Sequence, residues 1–315
     1  MRILIATPAP RGSRAGNRTT AMRWAGILRA DGHRVAVTSG YNGAAADVMI
    51  ALHAWRSADA VRRFRERHPD RPIILALTGT DLYRFLESDR QTTTRSMELA
   101  DRLVVLHEAA IVSVPEPLRA KVRVILQSAK AIPGRNPAAG RFNVCVIGHL
   151  RDEKDPLRTA YAVRNVPQQS RLQVVHLGKA HTADWEQAAR AEMQINARYR
   201  WCGEVPFREV RRVLARSRLM VLSSLMEGGA NVISEAVAAR VPVVASRIEG
   251  SVGLLGPEYP GFYATADTAA LAAMLVRAER DPEFYRSLQD ACMLRAPLFH
   301  PERERQAWRD VLAGV

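Results

Sequence analysis

Cysteine is scarce. The 315 residues hold three, Cys145, Cys202 and Cys292, far apart and with no CxxC pair or histidine at metal-ligand spacing. That excludes a disulfide framework and gives no zinc site. Cys145 and Cys202 lie in apolar or strand-like runs and read as small hydrophobes. Lysine is almost as rare, at Lys121, Lys130, Lys154 and Lys179 only, so nearly all of the 46 basic side chains are arginine. Aromatics are 6% of the chain. No uncharged apolar run is long enough to span a membrane, and the N-terminal MRILIATPAP is stopped by Pro8, too soon for a signal segment. There is no internal repeat and no low-complexity tract. The expectation is a soluble, cytoplasmic protein with no membrane insertion.

What is present is apolar mass and positive charge. At 47% hydrophobic and 25% charged, the chain can build real cores and is not a disordered tail. Its length fits two ordinary domains or one large one. The net charge is +14, unevenly spread: residues 1–138 carry 22 basic and 12 acidic groups, net +10, and residues 139–315 carry 24 and 20, net +4. Such a balance points to an anionic partner, whether nucleic acid, a membrane surface or a phosphorylated small molecule. An arginine-rich codon bias gives the same arithmetic.

Short apolar runs alternate with amphipathic segments. Arg2–Thr7, Val35–Ser39, Asp47–His53, Pro72–Thr78 and Arg102–His107 read as strands, with helices at Thr20–Ala30 and Ser57–Arg67. Residues 127–141, QSAKAIPGRNPAAGR, have two prolines, two glycines and no hydrophobic period, which reads as a linker. The alternation then restarts. Strands are expected at Phe142–Ile147, Leu172–Leu177, Tyr199–Cys202, Met220–Ser223 and Pro242–Ser246. Helices are expected at Pro156–Asn165, Thr182–Ala197, Pro206–Arg216 and Asn231–Ala239. This predicts an α/β protein of two Rossmann-like domains, 1–138 and 139–315, facing across a cleft, with ligands at the carboxyl ends of parallel strands. A last helix, about 301–313, has no strand after it and is expected to pack across the domain boundary.

Four segments carry candidate chemistry. The loop after the first strand, PAPRGSRAGNRTT, offers Gly12 and Gly16 for close backbone approach, Ser13 and Asn17 as polar groups, and Arg11, Arg14 and Arg18 as charges beside a helix N-terminus. That suits a phosphate-like anion, although the loop is neither a Walker A nor a GxGxxG; a solvated basic loop is the plain alternative. In LTGTDLYR, Thr78, Gly79, Thr80 and Asp81 cluster at a strand end, placed to touch a ligand, or for Thr80 or Asp81 to cap the next helix, or for both. In VIGHLRDEKD, Gly148 is followed by Arg151 and Lys154, which can neutralise a diphosphate. In SSLMEGGANVISEAVAARVPVVAS, the glycine-rich run Gly228–Asn231 leads into a helix whose backbone N–H groups face an anion. Glu227 precedes that run, and Glu235 lies within the helix, suited to ribose hydroxyls.

Taken in order, these segments resemble the retaining, GT-B-fold glycosyltransferases that use nucleotide sugars, over most of the chain. The most specific element is Glu-x7-Glu within EGGANVISEAVAARVPVVAS. The resemblance implies that Glu235 binds the nucleotide ribose, and that Glu227 with the amides of Gly228, Gly229, Ala230, Asn231 and Val232 holds the donor sugar and diphosphate. It implies that Arg151 and Lys154, beside Gly148, neutralise the diphosphate. Retention in that family is attributed to front-face attack assisted by the leaving phosphate, without metal, so the resemblance implies no cofactor and no metal. Glu227, Arg151, Lys154 and Asp81 are the expected catalytic residues. Two departures stand out: Gly148-His149-Leu150 replaces the family's Gly-Arg-Leu, and Thr78-Gly79 replaces its His-Gly, for which His53 is a candidate substitute.

A narrower similarity, carried by the N-terminal MRILIATPAPRGSRAGNRTT, LTGTDLY, HLRDEKDPLRTA and EGGANVISEA, is to the selenosugar synthases of selenoneine biosynthesis. It implies a UDP-sugar donor, UDP-N-acetylglucosamine first among them, selenophosphate as acceptor, and a 1-seleno-sugar product. Arg11, Gly12, Ser13, Arg14, Gly16, Asn17, Arg18, His53, Thr78, Gly79, Thr80 and Asp81 are then the acceptor side. The alternatives are a related transferase with a sugar, lipid or small-molecule acceptor and, remotely, a non-enzymatic nucleic-acid-binding protein, for which no reading motif is present.

Overall fold

A computed structural model of the chain describes residues 1–13, 15–137 and 139–315. It divides into two compact units, Met1–Gln127 with Pro301–Val315, and Ser128–His300. Each is built on a six-stranded sheet, and every strand pair in them is parallel. These are the two Rossmann-like α/β domains that the alternating pattern predicts.

The first sheet comprises β1 (Arg2–Ala6), β2 (Arg34–Thr38), β3 (Val48–Leu52), β4 (Ile73–Ala76), β5 (Arg102–Val105) and β6 (Val122–Val124), in the order β2-β1-β3-β4-β5-β6. The sequences VMIAL and IILA of β3 and β4 are buried at every position. They do not alternate because helices cover both faces of the sheet. On one face Trp24, Ala25 and Leu28 of the helix Gly16–Ala30 pack with Ile5, Ile50 and Val104. On the other, Val61 and Phe64 of the helix Ala58–Arg67 and Met97 of the helix Arg90–Leu99 pack with Leu4, Met49 and Leu75. The helix expected from Thr20 starts at Gly16, because the N–H groups of Arg18 and Thr19 already reach the Ala15 carbonyl at 3.0 Å.

The second sheet comprises β7 (Phe142–Ile147), β8 (Leu172–Leu177), β9 (Tyr199–Trp201), β10 (Leu219–Leu222), β11 (Val243–Ser246) and β12 (Phe262–Tyr263), in the order β12-β11-β10-β7-β8-β9. Cys145 is buried in its core, and desolvation pushes its thiol up to about 12. The irregular stretch expected as a linker is held rather than free. The Asn136 N–H bonds the Ala215 carbonyl at 3.1 Å, Arg211 reaches the carbonyls of Lys130 and Ala131, and Arg135 reaches the Tyr285 hydroxyl at 3.1 Å. Polar contacts fix this segment where hydrophobic period is lacking.

The helix Pro301–Ala313 belongs to the first unit and completes one face of its core with Trp308, Val311 and Leu312. Trp308 meets Trp24 edge-on, with ring centroids 4.8 Å apart. Glu304 on the same helix is fully buried. It accepts from Trp24 Nε1 at 2.8 Å and pairs with Arg23 at 3.3 Å. Two further arginines of the helix, Arg305 and Arg309, grip Asp31 and hold its carboxyl below the usual carboxylate range. Removing one partner of a buried pair strands the other charge, at a cost of about 3–5 kcal/mol. Glu304→Ala should therefore lower the denaturation midpoint strongly, whereas Glu66→Ala, on the exposed Arg62–Glu66 pair, should barely move it. Guanidinium titration followed by tryptophan fluorescence makes the comparison.

Candidate functional site

In the second sheet the chain runs outward from β7 through β8 to β9, then crosses to β10 and runs the other way. The loops leaving β7 and β10 therefore diverge, and the carboxyl ends of these two strands flank the switch point where ligands settle in such sheets. A small cavity lies there, lined by Gly148, His149, Lys154, His176, Ser223 and Ser224 among others.

Side chains from the two loops meet at this cavity. Lys154 Nζ is ion-paired with Glu227 Oε1, and the Ser224 hydroxyl donates to the same oxygen at 2.6 Å. The other Glu227 oxygen has no partner among the described residues. The pair is largely shielded, its side chains 17% and 10% exposed. The Ser223 hydroxyl donates to the carbonyls of Lys154 and Asp155 at 3.2 and 3.0 Å, and the Leu225 N–H bonds the Glu153 carbonyl. These bonds lace one loop to the other. Gly250 completes the approach: a Cβ there would lie 2.2 Å from the Glu227 carbonyl oxygen, so only glycine lets the helix Glu249–Leu255 close onto this turn. Arg151, in the loop after β7, is half-buried, its Nε 3.8 Å from a Glu153 oxygen.

Gly228 is buried, and Gly229 has φ +156 before the helix Asn231–Ala238. Ala230 sits at the N-cap and supplies no capping side chain, and no acid occupies the first turn, so the positive end of that helix is not neutralised by its own first turn. Asn231 and Val232 are half-buried there, and so is Glu235 in the second turn.

Behind β7, His176 is buried between Tyr199 and the backbone, with Nδ1 3.0 Å from the Tyr199 hydroxyl and Nε2 3.0 Å from the Gly148 carbonyl. A carbonyl only accepts, so Nε2 carries the proton and Nδ1 accepts from Tyr199. Burial drives the imidazole down to about 4 and the Tyr199 phenol well up. His149 accepts from the Lys179 N–H at 3.0 Å and lies 5.2 Å, centroid to centroid, from His181. Burial first, and His181 next, hold it below the ordinary histidine value.

In the first unit, the switch point lies between β1 and β3. After β1, Arg11 and Gly12 are exposed and Ser13 half-buried in the loop, while Gly16 is exposed and Asn17 and Arg18 half-buried in the first turn of the helix Gly16–Ala30; Arg14 lies outside the described residues. Gly12 takes φ +86, and the Ser13 hydroxyl accepts from the Ala15 N–H at 3.1 Å. After β3, His53 is buried at φ +75, a backbone region that costs a non-glycine residue about 1–3 kcal/mol. Its Nδ1 accepts from the Arg56 N–H, so Nε2 donates to Thr80 Oγ1 at 2.9 Å. Burial lowers its pKa against the pull of the Asp81 carboxylate.

The expectation of a helix cap at Thr80 or Asp81 is corrected by this geometry. The Thr80 hydroxyl pairs with His53, and the helical turn that follows, Asp81–Phe85, is a π-turn with no side-chain cap. The buried Asp81 carboxylate instead accepts the N–H groups of Thr78, Gly79, Leu82 and, from the loop after β3, Ala54. It ties the ends of β3 and β4 together.

Sequence reasoning singled out Gly148, Lys154, Glu227 and the Gly228–Val232 run, and the fold gathers them at one sheet edge. It missed Ser223, Ser224, His176, Tyr199 and Gly250. The doublet at the end of β10 was a legible polar signal, but a histidine inside an apolar strand carries none. Among the described residues no group of three or more His, Cys, Asp or Glu is placed to hold a metal ion, and no helix is long and apolar enough to cross a membrane.

Residues 129–292 match the family "Glycosyl transferases group 1". No curated protein matches the chain in sequence. Among solved structures, Anabaena HepE in complex with UDP and glucose is similar at TM-score 0.80 and 16% identity, covering 100% of both chains. Sucrose-phosphate synthase from Thermosynechococcus elongatus is similar at TM-score 0.76 and 14% identity, covering 100% of this chain and 99% of that one. An α,α-trehalose-phosphate synthase (UDP-forming) from Burkholderia vietnamiensis follows at 0.69 and 16%, covering 85% and 72%. At these identities the likeness is one of fold.

The His176 site makes stability depend on pH. Its folded pKa, about 4, lies below the ordinary 6.5 of the unfolded chain. The unfolded state therefore binds more protons between the two values, and stability falls as pH drops from about 6.5 toward 4. The slope reaches about 1.4 kcal/mol per pH unit. His176→Gln should flatten that part of the stability profile, measured as urea midpoints against pH.

Proposed function

Since the chain belongs to the glycosyl transferases group 1 family, we propose that it moves a sugar from a UDP-sugar, UDP-N-acetylglucosamine in particular, to selenophosphate with retention at the anomeric carbon. The observation that carries the donor half is the Lys154–Glu227–Ser224 cluster at the switch point of the second sheet, beside an uncapped helix N-terminus. Similar folds with UDP and UDP-glucose bound in HepE support the choice of nucleotide.

The bond broken joins the anomeric carbon to the diphosphate, and its electron pair leaves with UDP. Lys154, Arg151 and the N–H groups at Ala230–Val232 stabilise the charge that builds on the leaving diphosphate. Glu227 accepts a sugar hydroxyl with its unshared oxygen, and Ser224 fixes the rotamer. Glu235 accepts from the ribose hydroxyls. The bond formed is carbon–selenium. Selenophosphate brings an ionised, soft nucleophile, so no strong general base is required and the remaining task is alignment. Loss of phosphate to water from the resulting selenophosphoryl sugar gives the 1-seleno-sugar.

The acceptor half is supported by the basic loop after β1, with Arg11 and Arg18, by its net charge and by the selenosugar-synthase resemblance of that segment. A compact cationic loop suits a small anion better than a glycan, which favours aromatic platforms. His53, Asp81 and the 78–80 turn shape this side through the main chain rather than through free side chains.

Mass spectrometry of products from UDP-sugars, with selenophosphate offered beside ordinary sugar acceptors, tests the whole reading. A seleno-sugar is expected. Glycoside alone overturns the acceptor, and no transfer from any UDP-sugar overturns the donor. Variants separate the two halves. Lys154→Ala should cut kcat by about 10²–10³-fold, the usual loss for one charge-stabilising donor. Arg18→Ala should raise the acceptor KM far more than the donor KM in steady-state kinetics.

A further inference from the structure

The Gly148–His149 peptide stands at the carboxyl end of β7, on the rim of the switch-point cavity. Its carbonyl faces β8, where it accepts from His176 Nε2 at 3.0 Å. The same carbonyl is pressed against Gly178: a Cβ on that residue would lie 1.9 Å from the Gly148 oxygen. The Gly148 N–H also points to β8, bonding the Leu177 carbonyl at 2.9 Å. No cis peptide bond occurs in the described chain, and in a trans peptide the carbonyl and the following N–H point in opposite directions. The His149 N–H is thus turned away from β8, toward the β10 side of β7, where Lys154, Ser223 and Ser224 line the cavity. No backbone carbonyl of the described residues accepts it.

We propose that His176 is a positioning residue: its Nε2–H holds the Gly148 carbonyl against β8 and so aims the His149 N–H into the cavity, where it donates to a phosphate oxygen of the nucleoside diphosphate. Tyr199 fixes which nitrogen carries the proton. By donating to Nδ1 it leaves Nε2 as the only protonated position. The direction of the peptide then depends on two buried side chains, His176 in the cavity wall and Tyr199 behind it. Removing the imidazole leaves the carbonyl without its donor, and the peptide is free to rotate its N–H out of the cavity. The groups around His176 are the Tyr199 hydroxyl, the Gly148 carbonyl and the His149 ring. It stays neutral at neutral pH, so binding needs no proton from it.

This inference rests on the reading that the cavity holds the donor diphosphate. Calorimetric titration of the full chain with UDP tests both. His176→Leu should weaken UDP about tenfold, and His176→Gln, whose amide nitrogen can reach the same carbonyl, should recover most of that loss. Tyr199→Phe, which frees the imidazole to take either tautomer, should fall between. In the amide spectrum of the wild type, UDP should shift the His149 N–H downfield, and the shift should be smaller in His176→Leu. Wild-type affinity in a folded His176→Leu, or no recovery in a folded His176→Gln, overturns the positioning role alone. If His176→Leu does not fold, an unchanged affinity and an unchanged His149 shift in Tyr199→Phe overturn it. A wild-type chain that binds no UDP overturns the donor reading, and this one with it.

Discussion

Parallel strand pairing is the constraint on which the site depends. Two parallel strands cannot be joined by a tight turn; each must be followed by a crossover that carries the chain back to its starting edge. Every strand of a sheet therefore ends on one side, and every loop that leaves a strand end opens there. That is how Lys154 and Glu227, 73 positions apart, come to share one carboxylate oxygen contact. It is also how Ala54 and Asp81, 27 positions apart, meet at the ends of β3 and β4. The order of the strands then decides which of these edges stays open, because only where the winding reverses do neighbouring loops part.

An open edge must still be made rigid. In the second unit this is done by polar lacing and by the absence of side chains. Ser223 ties its loop to the Lys154 and Asp155 carbonyls, and Ser246 ties the end of β11 to the Ser224 carbonyl at 2.5 Å. Gly178 and Gly250 let backbones approach where a single added carbon would collide with a carbonyl. The charged groups are thus held by supports that are themselves mostly uncharged and buried. Such an arrangement loses little freedom when a ligand arrives.

Much of this could be read from the sequence, and the failures have physical causes. The strands Phe142–Ile147 and Leu172–Leu177 match their expected bounds because both are mainly apolar runs, rich in Val, Leu and Ile, between clear breaks. The start of the helix at Asn231 was legible in the Gly-Gly-Ala before it. By contrast β12 has two residues, too few for any period, and β6 has three. The helix Arg90–Leu99 buries Thr93 and Ser96 beside Met97, so its inner face looks polar. In the candidate site, charged and glycine positions announced themselves, while Asp81 did not reveal that its partners would be four main-chain N–H groups. His176 was illegible for the same reason: what it does is set by a carbonyl on another strand.

The helix Pro301–Ala313 carries a consequence for the order in which the molecule can be made. Trp24, Leu28 and Ile5 share a core with Trp308, Val311 and Leu312, and Trp24 binds Glu304 across 280 positions. Synthesis delivers these partners with the whole of residues 128–300 between them. The second unit has every residue it needs before Trp308 leaves the ribosome. The first unit waits through that interval with one face of its sheet covered by the helix Gly16–Ala30 but not yet by the helix Pro301–Ala313, leaving apolar surface of the kind that chaperones engage. The unit whose strands are made first is completed only after its neighbour.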